Sequence, residues 1–378
     1  MAAGMKCFAA MITALTLLST APVFGQAQGA LPPIKAVDYD QNGAFRVNGK
    51  PFFPIALYDA PLDDETLREL RDFGFNVLAC DAKSCTSLPA KGFYGASHAD
   101  KTVDDLSGVL LGVGIDSPAL YLKQDLLKQV AEANAKTSAA VPSRPIMNAI
   151  GYWEDEPAGV VMGKLPSQAV YENLVTAIDV SAPYLYPVPY QPISSVGDAV
   201  ARARTATAHK KPILPVLQLF VWEAKDRYPT PAELRCMAFL ALAEGAHGIG
   251  YYSYGTVTGR PQTTIAAAQP ELWKSVKRLN HDLADIGPRL LAGTETNDLA
   301  VGKGTPSVKM KVVREKDSLL AVVVNVAANR QAVELICQTK TFGQIVLQNG
   351  QQIEVKESVV TLPLEPYGVE IIRLINTR

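Results

Sequence analysis

Residues 211–255 constrain the fold more than any other part of the chain, because they read as a strand, a helix and a second strand in succession. Residues 213–221 are mostly apolar, which is typical of a strand buried on both faces. The Thr-Pro-Ala-Glu sequence at 230–233 has the spacing of a helix start, and Gly245 predicts the helix end. Residues 248–252 form the next buried strand. Since parallel neighbours need such a crossover, this stretch predicts an α/β protein.

The same pattern continues on both sides of this unit, and it predicts a closed parallel barrel. The predicted strands are 51–58, 75–80, 92–97, 108–115, 144–153, 177–186, 213–221 and 248–252. Helices are expected between them, for example over 120–135 and 197–209. After residue 296 the chain changes to alternating β-rich runs. We therefore expect an α/β protein, a (β/α)8 TIM barrel followed by a small antiparallel β-sandwich domain.

Four segments follow from this pattern. They are a signal peptide over 1–25, an N-terminal lead-in strand over 26–50, the barrel catalytic domain over 51–295 and the β-sandwich domain over 296–378. The first segment has one lysine, an apolar run and small residues near its end, so we expect export to the periplasm or the extracellular space. The run is short for a membrane span, and we expect no transmembrane segment in the mature chain. An uncleaved N-terminal anchor is the alternative.

Charge and composition exclude several kinds of partner. The formal net charge is -1, so the chain lacks the basic surplus that binding to nucleic-acid phosphates requires. The four histidines are scattered, and none has metal-ligand spacing with a cysteine or another histidine. We therefore expect no metal, no organic cofactor and no nucleic-acid partner. Cys80 and Cys85 are the only cysteines after residue 25 that are close enough in sequence for a local disulfide.

Acidic, aromatic and amide side chains lie at or near the ends of several predicted strands. They are Asp116, Glu154, Asp155, Glu156, Tyr184, Tyr186, Gln218, Trp222, Glu223 and Tyr252, with His98 as a further candidate. In a parallel barrel, side chains at the carboxyl ends of the strands converge at one mouth. Paired carboxylates among aromatic rings suit the cleavage of a glycosidic bond, with one group as proton donor and the other as nucleophile. The expected substrate is a neutral oligosaccharide or glycoside.

Three segments resemble the retaining TIM-barrel glycoside hydrolases of the cellulase and β-galactosidase clan that carry a C-terminal β domain. They are FRVNGKPFFPIALYDAP with ETLRELRDFGFNVL, LLGVGIDSPAL, and PVLQLFVWE with ELRCMAFLALAEGAHGIGYYSYG. The resemblance covers most of residues 43–293. It implies a nucleophilic glutamate at the end of the seventh strand, where Glu223 lies, and an acid/base glutamate at the end of the fourth. Ser117 occupies the fourth-strand position, so this chain differs from the clan there.

The catalytic carboxylates are consequently predicted to be Glu223 as nucleophile with Glu156 as acid, and Asp116 as the other candidate acid. Contacts with substrate are expected from Glu154, Asp155, Tyr184, Tyr186, Gln218, Trp222 and Tyr252. Each carboxylate also has an ordinary explanation: Glu223 as a solvated loop residue, Glu156 at a helix start and Asp116 as a helix cap. The alternative function is a non-catalytic carbohydrate-binding or scaffold protein on a barrel that has lost its acid.

Overall fold

The computed structural model describes residues 29–98, 101–115, 125–151, 168–222, 225–255, 263–338, 342–355 and 358–376. It confirms the predicted fold class, because eight parallel strands close into a barrel and antiparallel sheets follow it. Within the described residues, no helix combines the length and the apolar composition that a membrane crossing requires.

All eight barrel strands lie within or overlap the predicted runs. They are β4 Ile55–Leu57, β5 Val77–Asp81, β6 Tyr94–His98, β7 Val109–Val113, β8 Ile146–Gly151, β9 Val180–Tyr184, β10 Val216–Gln218 and β11 Ile249–Tyr252. Each pairs in parallel with its neighbour, and β11 pairs with β4 to close the barrel. The strands are buried over most of their length because helices cover their outer faces.

A short antiparallel sheet covers the amino ends of the barrel strands. Its strands are β1 Val37–Tyr39, β2 Phe45–Val47 and β3 Lys50–Pro51. Asn48 and Gly49 both have positive φ, of 52° and 75°, as the tight turn between β2 and β3 requires. Phe45 is fully buried against the barrel interior. The amino-end mouth is therefore closed, and the opposite mouth is left for a site.

The helices surround the barrel in the expected order. They are α1 Asp64–Asp72, α2 Ala82–Cys85, α3 Leu126–Ala140, α4 Gln168–Thr176, α5 Ser194–Ala206, α6 Pro231–Ala243, α7 Ile265–Ala268 and α8 Pro270–Ala292, with a 3₁₀ turn over Pro89–Lys91. At α6 the capping box of Thr230 and Glu233 is confirmed. Gly245, with φ of +106°, follows this helix as predicted.

Two predicted helix boundaries need correction. The helix expected to end at residue 135 runs on to Ala140, because the residues after 135 remain compatible with a helix until the chain reaches Pro142. The helix expected over 197–209 covers Ser194–Ala206 instead. Its end comes early because Ala208 and His209 adopt positive φ, which a right-handed helix does not allow.

The C-terminal strands form two packed antiparallel sheets. The first contains β12 Thr294–Glu295, β14 Val308–Arg314, β15 Ser318–Asn325, β17 Phe342–Leu347, β18 Gln352–Glu354 and β20 Val369–Asn376; the second contains β13 Leu299–Val301, β16 Gln331–Cys337 and β19 Val359–Leu364. Along β15, Leu319, Ala321 and Val323 pack between the sheets, whereas Leu320 and Val322 join the core around the barrel. One strand therefore serves two cores.

Helix α6 lies between the barrel and this sandwich, and this position explains its composition. It contacts α5 and β10 on one side and β14, β15 and β20 on the other. Phe239, Leu240 and Cys236 are all buried. A surface helix would need one polar face; α6 lacks it because two layers cover it.

The side chain of His247 links two segments at the amino-end mouth of the barrel by hydrogen bonds. Its Nδ1 accepts the Ile213 N–H at 3.1 Å, and its Nε2–H donates to the Asn42 carbonyl at 2.7 Å. The ring is 5% exposed. The imidazole must be neutral to accept the Ile213 bond, so this link depends on pH.

Acid should weaken the fold through His247. Burial lowers the pKa of His247 from its ordinary 6.5 to about 4; the hydrogen bond to Asn42 and the charge of Asp40 oppose this shift, whereas Lys311 and Arg204 add to it. The contribution is fully present above pH 6.5 and is lost as pH falls toward 4, by about 3 kcal/mol in total. We expect His247→Gln to flatten this part of the pH dependence of the free energy of unfolding, measured by urea titration. Exposed His209→Asn should leave it unchanged, and equal slopes for the His247 variant and the parent would contradict the assignment.

Candidate active site at the carboxyl ends of the barrel strands

An aromatic cluster occupies the carboxyl-end mouth where β4, β9, β10 and β11 finish. Its members are Tyr58, Tyr184, Tyr186, Phe220, Trp222 and Tyr252. The Tyr186 ring stacks on Tyr252 at 6.0 Å between centroids, and it meets Trp222 edge-on at 5.8 Å. Tyr58 meets Tyr252 edge-on at 5.9 Å. Tyr184, Tyr186, Trp222 and Tyr252 were predicted from the sequence, and the structure brings all four together.

Trp222 and Tyr252 are the half-buried members of this cluster, whereas Tyr184 and Tyr186 are buried. The Trp222 indole N–H donates to the Tyr186 carbonyl at 3.2 Å. This bond fixes the orientation of the indole ring beside the mouth. A ring held in this way offers an apolar face at little cost in side-chain entropy.

Phe220 and Tyr58 belong to the same cluster but were not predicted as site residues. Phe220 touches Tyr186, Trp222 and Tyr252, with ring centroids 4.8, 5.1 and 5.6 Å away. The sequence could have indicated Phe220 as a site residue. It lies two residues from both Gln218 and Trp222, so in an extended chain its side chain is on the same side as theirs. Its position inside an apolar run concealed this.

Gln218 was predicted to contact substrate, and the structure gives it a different partner. Its side chain is fully buried. The amide nitrogen donates to the carbonyls of Val188 and Phe220 at 2.8 and 3.1 Å, and its oxygen accepts the Val188 N–H at 2.9 Å. Gln218 therefore holds the loop after β9 against the end of β10, and its contact with a sugar stays a prediction.

Asp59, His98 and Ser253 form a polar group at the same mouth. Asp59 follows β4 with φ of +58°, an uncommon conformation for a residue other than glycine. Partial burial raises the pKa of Asp59, while the Ser253 hydrogen bond and the nearby His98 charge lower it. The pKa of His98 is lowered by burial and raised by Asp59. The sequence suggested His98 alone, because Asp59 and Ser253 meet only when β11 closes on β4.

An ion pair anchors the loop that joins β10 to α6. Arg227 donates to both carboxylate oxygens of Glu233, at 2.7 and 2.8 Å. The Glu233 side chain is 5% exposed, and the same carboxylate accepts the Thr230 N–H at 2.8 Å. A bidentate pair of this kind restricts both orientation and position. It fixes the part of the loop that lies next to α6.

Among the described residues, no three His, Cys, Asp or Glu side chains come together as a metal site requires.

No protein-family model and no curated protein matches the sequence. Solved structures are similar in fold. One described as a glycoside hydrolase has a TM-score of 0.56 and 10% identity, with 93% of this chain and 98% of that chain covered. A glycoside hydrolase family 5 protein from Bacteroides vulgatus also has a TM-score of 0.56, with 11% identity and coverage of 92% and 95%. The chain has the fold of TIM-barrel glycoside hydrolases.

The carboxylates predicted from the sequence lie outside the described residues. They are Asp116, Glu154, Asp155, Glu156 and Glu223, and Ser117 lies outside as well. The strands that precede them in the chain, β7, β8 and β10, all finish at the mouth with the aromatic cluster, because all eight strands are parallel. The roles of these carboxylates stay predictions.

Proposed function

We propose that this protein is an exported glycoside hydrolase that cleaves a neutral oligosaccharide or glycoside with a pair of carboxylates. The observation that carries the proposal is the aromatic cluster at the carboxyl-end mouth. Two of its members, Trp222 and Tyr252, are only half-buried. Sugar rings present apolar C–H faces, and such faces pack on aromatic side chains. The fold is one in which active sites lie at this mouth.

The proposed reaction assigns one role to each carboxylate. Glu223 attacks the anomeric carbon, and Glu156 or Asp116 donates a proton to the departing glycosidic oxygen. Water then hydrolyses the glycosyl ester, with the acid acting as base. The polar group of Asp59, His98 and Ser253 lies at the same mouth, and in the proposed complex it binds sugar hydroxyls.

A screen against chromogenic glycosides and neutral oligosaccharides tests the proposal. We expect turnover of at least one of them in buffer without added metal. Sugar binding detected by tryptophan fluorescence without any product would favour the non-catalytic carbohydrate-binding protein, which Ser117 also favours. Neither binding nor product across the panel would contradict both functions.

Truncating the indole should weaken sugar binding. We expect Trp222→Ala to raise the dissociation constant of the best ligand by about tenfold, because roughly 1 to 1.5 kcal/mol of aromatic contact is lost. Trp222→Phe should retain most of the affinity, since a ring remains. Isothermal titration calorimetry gives both values. Unchanged affinity in Trp222→Ala would place the sugar elsewhere.

A further inference from the structure

Cys80 and Cys85 meet beside the carboxyl end of β5. Cys80 lies on β5, and Cys85 is the last residue of the one-turn helix α2, which begins at once after Asp81. Their sulfurs are in contact at 2.6 Å, and both are thiols in the structure. The Asp81 carboxylate accepts the Ser84 N–H at 3.0 Å, so the intervening turn is itself fixed. The two sulfurs are therefore held together by ordered backbone on both sides.

Gly95 on the neighbouring strand packs closely against the two cysteine side chains. A Cβ added at Gly95 on β6 would lie 2.1 Å from the Cys85 sulfur and 3.1 Å from the Cys80 sulfur. Cys85 is fully buried, whereas Cys80 is partly exposed. Because Cys80 is the more exposed of the two, it is the one that an external oxidant reaches first.

We propose that Cys80 and Cys85 form a disulfide bond when the chain meets a disulfide oxidant, either a protein disulfide oxidoreductase or glutathione disulfide. The Cys80 thiolate attacks one sulfur of the oxidant, forms a mixed disulfide and releases one thiolate. Cys85 then loses its proton to solvent, and its sulfur attacks Cys80 and releases the second thiolate. The two cysteines are oxidised by two electrons, and one oxidant disulfide is reduced to two thiols.

The surroundings of Cys80 affect the rate of this reaction. The hydrogen bond with Cys85, burial and the charge of Asp81 all raise the pKa of Cys80. Since the thiolate is the attacking species, we expect slow oxidation of the folded chain at neutral pH and faster oxidation at higher pH or during folding.

Tryptic mapping tests the proposal without any substitution, because Lys83 lies between the two cysteines. The protein is refolded with a mixture of glutathione and glutathione disulfide, alkylated and digested. We expect peptides 72–83 and 84–91 to appear as one linked species that separates on reduction. The count of reactive thiols in the unfolded chain should fall by two relative to the fully reduced protein.

A matched control distinguishes this pair from the other cysteines. Cys80→Ser should abolish the linked species, whereas Cys337→Ala should retain it. Recovery of both peptides separately and alkylated would overturn the proposal, as would glutathione attached to Cys80 with Cys85 still free. These outcomes do not depend on glycoside hydrolysis, so the disulfide and the proposed function can fail separately.

Discussion

Replacing Glu223 by Gln should lower turnover by at least about 10²-fold, and Glu156→Gln should have an effect of similar size. A nucleophile must be ionised, and an amide cannot attack the anomeric carbon. A general acid must hold its proton, which nearby like charges favour, and Glu156 has acidic neighbours in Glu154 and Asp155. The measurement is the initial rate on a glycoside that the parent cleaves, with circular dichroism to check folding.

The control is the exposed Glu271→Gln, which we expect to keep the parental rate. Leaving-group dependence separates the two roles. Activated aryl leaving groups need little protonation, so they should restore the rate of the acid variant but not that of the nucleophile variant. If both variants retained parental rates, the assignment would be wrong, and Asp116→Asn would be the next substitution to measure.

Removing residues 296–378 should abolish cooperative folding of what is left. The deletion uncovers α6 and removes buried side chains that belong to the core around the barrel; these are Val313, Leu320, Val322, Val324 and Ile371. At about 1.5 to 3 kcal/mol for each, their loss is comparable with the whole stability of a domain. We expect aggregation, or a broad thermal transition with binding of a hydrophobic dye.

Two single substitutions on β15 provide a matched comparison. Val322→Asp places a charge between the sandwich and the barrel, so it should expose α6 and destabilise the barrel. Val323→Asp places the charge between the two sheets, so it should disrupt the sandwich first. Calorimetry should therefore show the barrel losing stability first in Val322→Asp and the sandwich losing stability first in Val323→Asp. A truncated chain with parental stability but no turnover would mean that the site does not lie in the barrel alone.

Periodicity was sufficient to predict the barrel, because the strands are largely covered on both faces and most of them are rich in apolar residues. The limit of this signal is visible after β10. The predicted strand extends to residue 221, but the observed strand ends at Gln218. Phe220 and Trp222 continue the apolar character outside the sheet, where they form the aromatic cluster. Hydrophobicity alone does not distinguish the residues of a strand from the residues of the aromatic cluster that follow it.

Contacts between distant segments were not predictable from one sequence. Asp59 and Ser253 are far apart in the chain and meet only through barrel closure. The double coverage of α6 also depends on strands that come much later in the sequence. In both cases the local sequence pattern is ordinary, and the contact depends on a distant segment that the local sequence does not specify.

Closure of the barrel by the pairing of β4 with β11 has a consequence for synthesis on the ribosome. The first barrel strand emerges early, and one of its edges has no partner until Ile249 and the residues after it have been made. Pairing across so much intervening chain is slow, and an open strand edge favours association with other chains. The nascent protein therefore passes through a long interval in which a chaperone that binds extended apolar segments should raise the yield of folded protein.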